Sequence, residues 1–414
     1  MMRMTRESVP ERMPRGVSPS PQMGDHGCRP RRRTDILIGC SRRCGPERAV
    51  PQMHIEIRPI PVPNALGTDE AAELEACAAL GFQLERATWG HDHFADTATQ
   101  LLAIHRNDEH RGRALLGAWD GGTMVGRTTL GWERDNGTTV ELTIGVLPSH
   151  RRQGIGSKLL AAAEDAARDL GRATIVAYSD HPDVAVGKGD GPVLRAPDGD
   201  AVLSASTPAA GFASVHGFAL AQLERMSSLT VSARADEFRN QLEARTASAN
   251  ALDYRVECWT DRTPGDLVHA YAAARERMAL DVPAGGVTID EERWDAARVR
   301  EHERQELDGG ATVLVAAAVT RHGDVAGYTE LVLPPGRDFA YQYDTLVVGA
   351  HRGNGLGMLV KLANLVRLAE AAPERAVVYT WNADENEHML AINTALGFRR
   401  CGLEAIWQRD DVSG

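Results

Sequence analysis

Apolar and polar residues along this chain follow two alternating patterns that predict strands and helices in a repeating order. Met124–Trp132 and Val140–Val146 alternate with the period of two that is typical of strands. In the second half, the predominantly apolar runs Val325–Leu333 and Ala340–Val348 also predict strands. A helical pattern follows the second strand of each pair. Its apolar residues recur at i, i+3, i+7 and i+10, as at Leu359, Leu362, Val366 and Ala369. Strands that alternate with helices predict a mixed α/β fold.

The junction between strand and helix is rich in glycine. Tyr343–Leu362 reads YDTLVVGAHRGNGLGMLVKL, with a polar turn that carries Arg352, Gly355 and Gly357 before the helix. Glycine has no Cβ, so an anion can approach the backbone there. The helix start adds unpaired N–H groups and the positive end of the helix dipole. The junction therefore predicts a cradle for a phosphate or pyrophosphate group.

The same junction occurs earlier in the chain at a constant spacing. Val140–Leu160 reads VELTIGVLPSHRRQGIGSKLL, and its arginine and two glycines precede those of the second junction by 201 residues. The offset extends into the preceding hairpin. The five pairs in register are Arg151 and Arg352, Gly154 and Gly355, Gly156 and Gly357, Gly122 and Gly323, and Gly126 and Gly327. A register held over hairpin, strand, loop and helix indicates a duplicated domain.

Composition limits the classes of function. The 414 residues carry a net charge of −11, which argues against an electrostatic nucleic-acid binder. No apolar run approaches the ~20 residues of a membrane span, and the short Ile36–Ile38 stretch is too small for an export signal. We therefore expect a cytoplasmic protein without a membrane or nucleic-acid partner.

Residues 1–52 differ from the rest of the chain. They are rich in Pro, Arg, Gly and Ser without strand or helix periodicity, which predicts a disordered basic tail. Strand-like alternation begins just after Met53. An alternative prediction is that the natural protein starts at Met53 and that the tail is a start-site artefact. Cys28, Cys40 and Cys44 lack a usual zinc spacing, and we predict no metal site.

The order R-x-x-G-x-G between a strand and a helix resembles the acyl-CoA pyrophosphate motif of the GNAT N-acetyltransferase superfamily. Asn386-x-x-Met389 followed by Leu396-Gly397-Phe398 is similar to the end of that domain. The paired copies resemble tandem GNAT proteins of the mycothiol-synthase-like kind, of actinobacterial type. The resemblance covers roughly residues 55–409 and implies two tandem domains. Each would have a central mixed sheet, flanking helices and a splayed strand pair for the acyl-CoA.

The resemblance implies acetyl-CoA as the cofactor and assigns both junctions to its binding. It also implies that a backbone N–H near Leu346 or Val347 meets the thioester oxygen. The expected cofactor-binding residues of the second copy are Leu346, Val347, Val348, Arg352, Gly353, Asn354, Gly355, Leu356, Gly357 and Asn386. Those of the first copy are Val146, Arg151, Arg152, Gln153, Gly154, Ile155 and Gly156.

The repeat register separates the two copies chemically. Glu330 and Asp344 stand where the first copy has Thr129 and Thr143. A carboxylate near a thioester can accept a proton from the attacking amine, so Glu330 and Asp344 are the candidate catalytic residues. Each of them could instead have a purely structural role. Asp344 would then pair with Arg352, and Glu330 would lie on the solvated face of the sheet.

The remaining acceptor features are less specific. Asp281, Trp294 and Trp381 are candidates for an amine-binding pocket with an apolar wall and an anionic group. Many members of the superfamily have a tyrosine acid four residues before the closing Gly-Phe, where this chain has Asn393 and Ala213. The group that protonates the leaving thiolate is therefore unassigned.

These patterns predict a tail (1–52) and a linker (232–252). With the resemblance they also imply an N-terminal GNAT-like domain (53–231) and a C-terminal GNAT-like domain (253–414). The predicted function is transfer of an acetyl group from acetyl-CoA to a primary amine of a small molecule, with the chemistry in the C-terminal domain. The alternatives are a non-catalytic acyl-CoA-binding or sensing module and an acetyltransferase for protein or peptide N-termini. A closed pocket favours a small acceptor, and a wide acidic groove favours a peptide.

Overall fold

The computed structural model describes residues 54–135, 137–183, 191–278 and 283–410. The predicted tail and the candidate Asp281 lie outside these residues. Strands and helices alternate as the hydrophobic pattern predicts. Those of the first copy are β1 (Ile55–Pro59), α1 (Ala72–Trp89), α2 (Ala98–Arg106), β2 (Arg111–Asp120), β3 (Thr123–Glu133), β4 (Thr139–Val146), α3 (Ile155–Asp169), β5 (Thr174–Pro182), β6 (Val193–Leu194), β7 (Leu203–Ser204), α4 (Pro208–Val215) and β8 (Ala219–Thr230).

The second copy repeats this order after helix α5 (Ala235–Asn250), which occupies most of the predicted linker. Its elements are β9 (Tyr254–Thr260), α6 (Val268–Glu276), α7 (Ala296–Asp308), β10 (Thr312–Thr320), β11 (Val325–Leu333), β12 (Phe339–Val347), α8 (Leu356–Ala371), β13 (Val377–Ala383), α9 (Glu387–Leu396) and β14 (Arg399–Arg409). Equivalent helices begin in equivalent ways. The side chain of Thr97 accepts a hydrogen bond from the third residue after it at the start of α2, and Asp295 does so at the start of α7.

Twelve of the described strands form one continuous sheet in which the two copies exchange their final strands, and β6 and β7 form a separate two-stranded sheet. The order is β1-β2-β3-β4-β5-β14-β8-β13-β12-β11-β10-β9. Strand β14 of the second copy pairs with β5 of the first, and β8 of the first copy pairs with β13 of the second. Residues 53–414 accordingly form one compact unit. The division at residues 231 and 253 stays a prediction, because neither half contains all the strands of its own sheet.

In each copy the parallel strand pair opens before the glycine junction. Strand β4 pairs with β5 only from Thr139 to Leu142, although it continues to Val146. Strand β12 pairs with β13 only from Phe339 to Gln342, although it continues to Val347. The strands separate beyond these points, as the resemblance implies.

The core of the second copy is more completely buried than that of the first copy. Every residue of β11 is buried, which matches its nearly continuous apolar sequence. Helix α8 buries residues on all its sides, including Lys361, whose side chain is 1% exposed. The Lys361 ammonium lies 5.7 Å from the centre of the Phe398 ring, and it has no hydrogen-bond or ion-pair partner among the described residues. Burial lowers the pKa of Lys361 to about 7.

The loops that precede α2 and α7 each pack on the opposite copy. His93, before α2, shares a hydrogen bond of 2.9 Å with the Tyr379 hydroxyl on β13. Asp290, before α7, accepts a hydrogen bond of 2.8 Å from the Thr138 N–H beside β4. A buried ion pair between Arg298 of α7 and Glu133 of β3, at 3.0 Å, also joins the copies. The space between the copies is therefore lined by residues from both.

Candidate active site

Both glycine junctions form the exposed, sharply turned loop that an anion cradle requires. Gly154 and Gly355 have φ values of +80° and +72°, which other residues rarely adopt. Each loop arginine is folded back onto its own strand. Arg151 Nε donates to the Val146 carbonyl at 2.9 Å, and Arg352 Nε donates to the Val347 carbonyl at 3.2 Å. The first N–H groups of α3 and α8 lack intrahelical partners, so they are available to an anion.

The second glycine of each junction serves helix packing. A Cβ on Gly156 would lie 3.1 Å from Phe212 of α4, and one on Gly357 would lie 3.2 Å from Ile392 of α9. Close approach of these helices therefore needs glycine at both positions. That both glycines also make room for the anion stays a prediction.

The backbone of β12 directs one N–H group into the opening beside β13. The Val348 N–H donates to the Ala326 carbonyl on the β11 side at 2.9 Å. Successive N–H groups of a strand point in opposite directions, so the Val347 N–H faces the opening. The resemblance implies a thioester-binding N–H at Leu346 or Val347, and this alternation favours Val347.

A β-bulge distinguishes the second copy from the first. In β11 and β12, Thr329 pairs with Thr345 and Leu331 pairs with Gln342, so Glu330 lies opposite both Tyr343 and Asp344. The equivalent pairing of β3 with β4 is continuous from residue 126 to 131. Bulges often redirect side chains at active sites. Here the bulge brings the Asp344 side chain to a cavity wall with 30% of its surface exposed.

The structure brings Glu330 and Asp344 together on one arginine that the sequence analysis missed. Arg275 of α6 donates to Glu330 at 2.6 Å and to Asp344 at 3.1 Å, and Tyr271 also donates to Glu330, at 2.5 Å. Arg275 is 6% exposed, and its guanidinium lies over the Trp294 ring at 4.1 Å. Its position could have been found, because Val268, Tyr271 and Arg275 follow the i, i+3, i+7 spacing of one helix face.

The two carboxylates differ in their environment. Burial opposes ionisation of Glu330, but Arg275 and His302 outweigh it and hold its pKa at about 2. Burial raises the pKa of Asp344 against the attraction of Arg275, and the nearby Glu330 adds to the rise. Asp344 is thus the more basic group and the one that reaches the cavity, whereas Glu330 holds Arg275 in place.

The cavity beside Asp344 lies between the two copies and has a volume of about 380 Å³, within the ~300–1,000 Å³ range typical of small-molecule sites. It is lined by Asn107, His110, Arg111, Arg113, Arg275, Met278, Ile289, Glu292, Trp294, Arg298, Glu301, His302, Gln305 and Asp344. Trp294 therefore lies where a substrate-binding residue is expected.

Trp381 lies elsewhere. Strand β13 leaves β12 after Thr380, and Trp381 packs against Phe94 and Tyr341 at ring-centre distances of 5.7 and 5.9 Å. Asn386 begins α9, where its side-chain oxygen accepts a hydrogen bond from the Met389 N–H at 3.2 Å. Its contact with a cofactor remains a prediction.

Residues 78–186 match the acetyltransferase (GNAT) family. This range of the chain contains most of α1, the first glycine junction and β5. Residues 78–186 form a GNAT acetyltransferase domain. The chain is thus an acyltransferase that uses acetyl-CoA.

Similar solved structures extend the GNAT fold to both copies. A tandem GNAT protein from the clavulanic acid biosynthesis pathway matches with a TM-score of 0.62 and 24% identity, over 86% of this chain and 98% of that one. A GCN5-related N-acetyltransferase from Sphaerobacter thermophilus matches with a TM-score of 0.53 and 15% identity, over 86% and 95%. No curated protein is significantly similar to the chain. The predicted fold class, two tandem GNAT-like copies in a mixed sheet, is confirmed.

The residues of both junctions fit the acetyl-CoA cofactor. In the first copy no atom would lie within 4 Å of a Cβ on Gly154, so the space in front of the loop is open. In the second copy the Arg245 guanidinium would lie 3.6 Å from a Cβ on Gly355, and it adds a positive charge. Open backbone, free helix N–H groups and nearby arginines suit a pyrophosphate.

The large sheet also contains a row of carboxylates that the sequence analysis missed. Glu404 of the exchanged strand β14 pairs with Asp180 on one side and Glu224 on the other. Burial raises the pKa of Asp180 to about 6 and that of Glu224 to about 7, and the neighbouring Glu385 contributes to the second. These residues are far apart in the chain, and only the strand exchange brings them together.

Within the described ranges, one group has the residue types of a metal site. Glu109, His110 and Glu301 offer ligand atoms within 4.8 Å of one another. Glu301 already accepts a hydrogen bond of 2.6 Å from the Glu109 N–H and pairs with His110 through its other oxygen. The group therefore has a role in joining α7 to the loop before β2. Among the described residues no helix is both long and apolar enough to cross a membrane.

Proposed function

We propose that this protein transfers the acetyl group of acetyl-CoA to a primary amine of a small molecule, with the chemistry in the second copy. The observation that carries the proposal is the position of Asp344. It lies on a bulge of the strand that leads into a glycine cradle, and its carboxylate is exposed to a cavity of small-molecule size. The first copy has Thr143 at the equivalent position, hydrogen-bonded to Thr129 at 2.7 Å. A hydroxyl is a much weaker base than a carboxylate.

Bound acetyl-CoA would supply a thioester, an activated acyl donor. Asp344 accepts the proton of the acceptor ammonium and leaves a nucleophilic amine. The raised pKa of Asp344 brings its basicity closer to that of the amine, which favours the transfer. The Val347 N–H donates a hydrogen bond to negative charge that develops in the opening between β12 and β13. The Arg352–Gly357 loop holds the pyrophosphate and keeps the reacting ends in place.

The first copy has two roles in this proposal. Its own junction, from Arg151 to Gly156, is a second acetyl-CoA site. Its residues Arg111 and Arg113 form part of the acceptor cavity, so the acceptor lies between the copies. A cavity of this size supports a small acceptor over a peptide. The mycothiol-synthase-like arrangement and the actinobacterial type are part of the same proposal.

A valine in either cradle is expected to abolish acetyl-CoA binding at that cradle alone. Gly355→Val places a β-branched residue at a positive φ and fills the space in front of α8, so the affinity of the second site should fall more than tenfold. Gly154→Val should do the same at the first site. Calorimetry of acetyl-CoA binding to the full chain measures both, and turnover of an amine library should be lost only in Gly355→Val.

The matched control is Gly211→Ala in α4, where a Cβ meets no atom within 4 Å and φ is not positive. Its binding should equal that of the wild type. The absence of any acetyl-CoA binding by the wild type would refute the proposed function. Loss of turnover in Gly154→Val alone would move the chemistry to the first copy.

A further inference from the structure

The charged residues around the acceptor cavity are not balanced in pairs. The described part of its wall carries four arginines, Arg111, Arg113, Arg275 and Arg298, and three carboxylates, Glu292, Glu301 and Asp344. Three of the four arginines are held by carboxylates. The ion pairs are Arg275 with Glu330 and Asp344, Arg298 with Glu133 and Glu292, and Arg111 with Glu141 and Glu133.

Arg113 differs from the other three. Its Nη1 donates to the carbonyl oxygens of Ile104 and Asn107 at 3.0 and 2.7 Å, and its Nη2 donates to the Gln305 side-chain oxygen at 2.9 Å. No carboxylate of the described residues lies within ion-pair distance of it. These neutral partners use three of the five N–H donors of its guanidinium and do not cancel its charge. Among the described residues of this wall, Arg113 is therefore the arginine without an ion pair.

A second polar group on this wall lacks a hydrogen bond, although a carboxylate is near it. Nε2 of His302 is buried without a hydrogen bond among the described residues, and it lies 3.7 Å from Glu330. His302 and Gln305 are three residues apart on α7, so they lie on one helix face, and both line the cavity with Arg113. A buried polar atom without a partner in a cavity is a place for a ligand atom.

We propose that Arg113, together with His302, binds a carboxylate carried by the acceptor, so that the acceptor is a small amino acid-like molecule. This inference rests on the proposed function, because it places the amine of the same molecule at Asp344. One arginine without an ion pair can balance one negative charge, which fits a carboxylate better than a phosphate dianion. The first copy then determines acceptor specificity, since Arg113 belongs to β2.

The first test is binding, measured independently of turnover. The probes are the ω-amino acids with one to five methylene groups, their primary amides and the corresponding diamines, titrated calorimetrically into the full chain saturated with CoA. At least one ω-amino acid should bind roughly 10- to 100-fold more tightly than its amide, since a charge-assisted hydrogen bond contributes about that factor. Arg113→Gln should remove this preference and leave the affinity of the amide unchanged.

His302→Gln provides a second variant that leaves the Arg113 hydrogen bonds intact, so it tests the site even if Arg113→Gln fails to fold. Its affinity for the same ω-amino acid should fall roughly 3- to 10-fold. Arg168→Gln on the exposed face of α3 is the matched control and should behave as the wild type. In turnover assays Arg113→Gln should raise KM for the amino acid much more than it lowers kcat.

Four results would overturn the inference: equal or tighter binding of the amides or diamines, an unchanged preference in Arg113→Gln, an unchanged affinity in His302→Gln, or tighter binding of 2-aminoethyl phosphate. Binding that depends on Arg113 without acetylation of any probe would support the carboxylate site and count against the proposed function alone.

Discussion

Replacement of Asp344 by asparagine is expected to lower kcat by roughly 10²- to 10⁴-fold, the usual contribution of a general base. Asparagine has nearly the same shape and can still accept a hydrogen bond from Arg275, but it cannot take a proton from the amine. The side chain is 30% exposed, so the fold should tolerate the change. Calorimetry should show acetyl-CoA affinities within about twofold of the wild type.

Thr143→Val at the equivalent position of the first copy is the matched control, and its turnover should stay close to that of the wild type. If Thr143→Val loses turnover while Asp344→Asn keeps it, the reaction takes place in the first copy. The pH profile provides an independent readout. Wild-type kcat/KM should fall as the pH decreases through the raised pKa of Asp344, and this acid limb should be absent from the residual activity of Asp344→Asn.

Lys361→Met is expected to raise the free energy of unfolding by roughly 2–4 kcal/mol at pH 6, since a buried charge without a partner is replaced by an apolar side chain of similar length. The pKa of Lys361 is about 7 in the folded protein against an ordinary value of 10.5. Below pH 7 both states carry the charge, and the folded state alone bears the cost of burying it. The cost declines between pH 7 and about 10.5 because the folded state has already released its proton.

Urea denaturation at pH 6, 8 and 10 measures this effect. The advantage of Lys361→Met should be largest at pH 6 and should decrease at pH 8 and again at pH 10. Lys158→Met, on the exposed surface of the equivalent helix α3, should change the stability little at any of the three. An advantage that does not vary with pH would mean that the pKa of Lys361 is the same in the folded and unfolded states.

The local features of this fold could be predicted from the sequence because they depend on nearby residues. The glycine junctions, the helices that follow them and the splayed strands follow from local patterns or from the resemblance. The repeat register also pointed to Asp344 as a difference between the copies. Its orientation could not be predicted, because a bulge of one residue reverses which side chains face the cavity.

The exchange of β8 and β14 could not be predicted for a different reason. Equivalent final strands carry the same pattern of apolar residues, so pairing within a copy and pairing between copies satisfy that pattern equally well. The cavity wall depends on the same arrangement. Arg113 and His302 are 189 positions apart in the chain, and neither residue is part of a motif that would have singled it out.

The exchanged strands also affect how the chain folds during synthesis. Strand β14 lies between β5 and β8, but a ribosome produces it about 170 residues after the end of β8. At roughly 5–20 residues per second this delay is on the order of 10–30 s. Throughout that time β5 and β8 have open edges, and open edges favour wrong pairing and aggregation. The nascent first half can also close on itself by placing β8 directly against β5, and the completed chain must then displace β8 to insert β14.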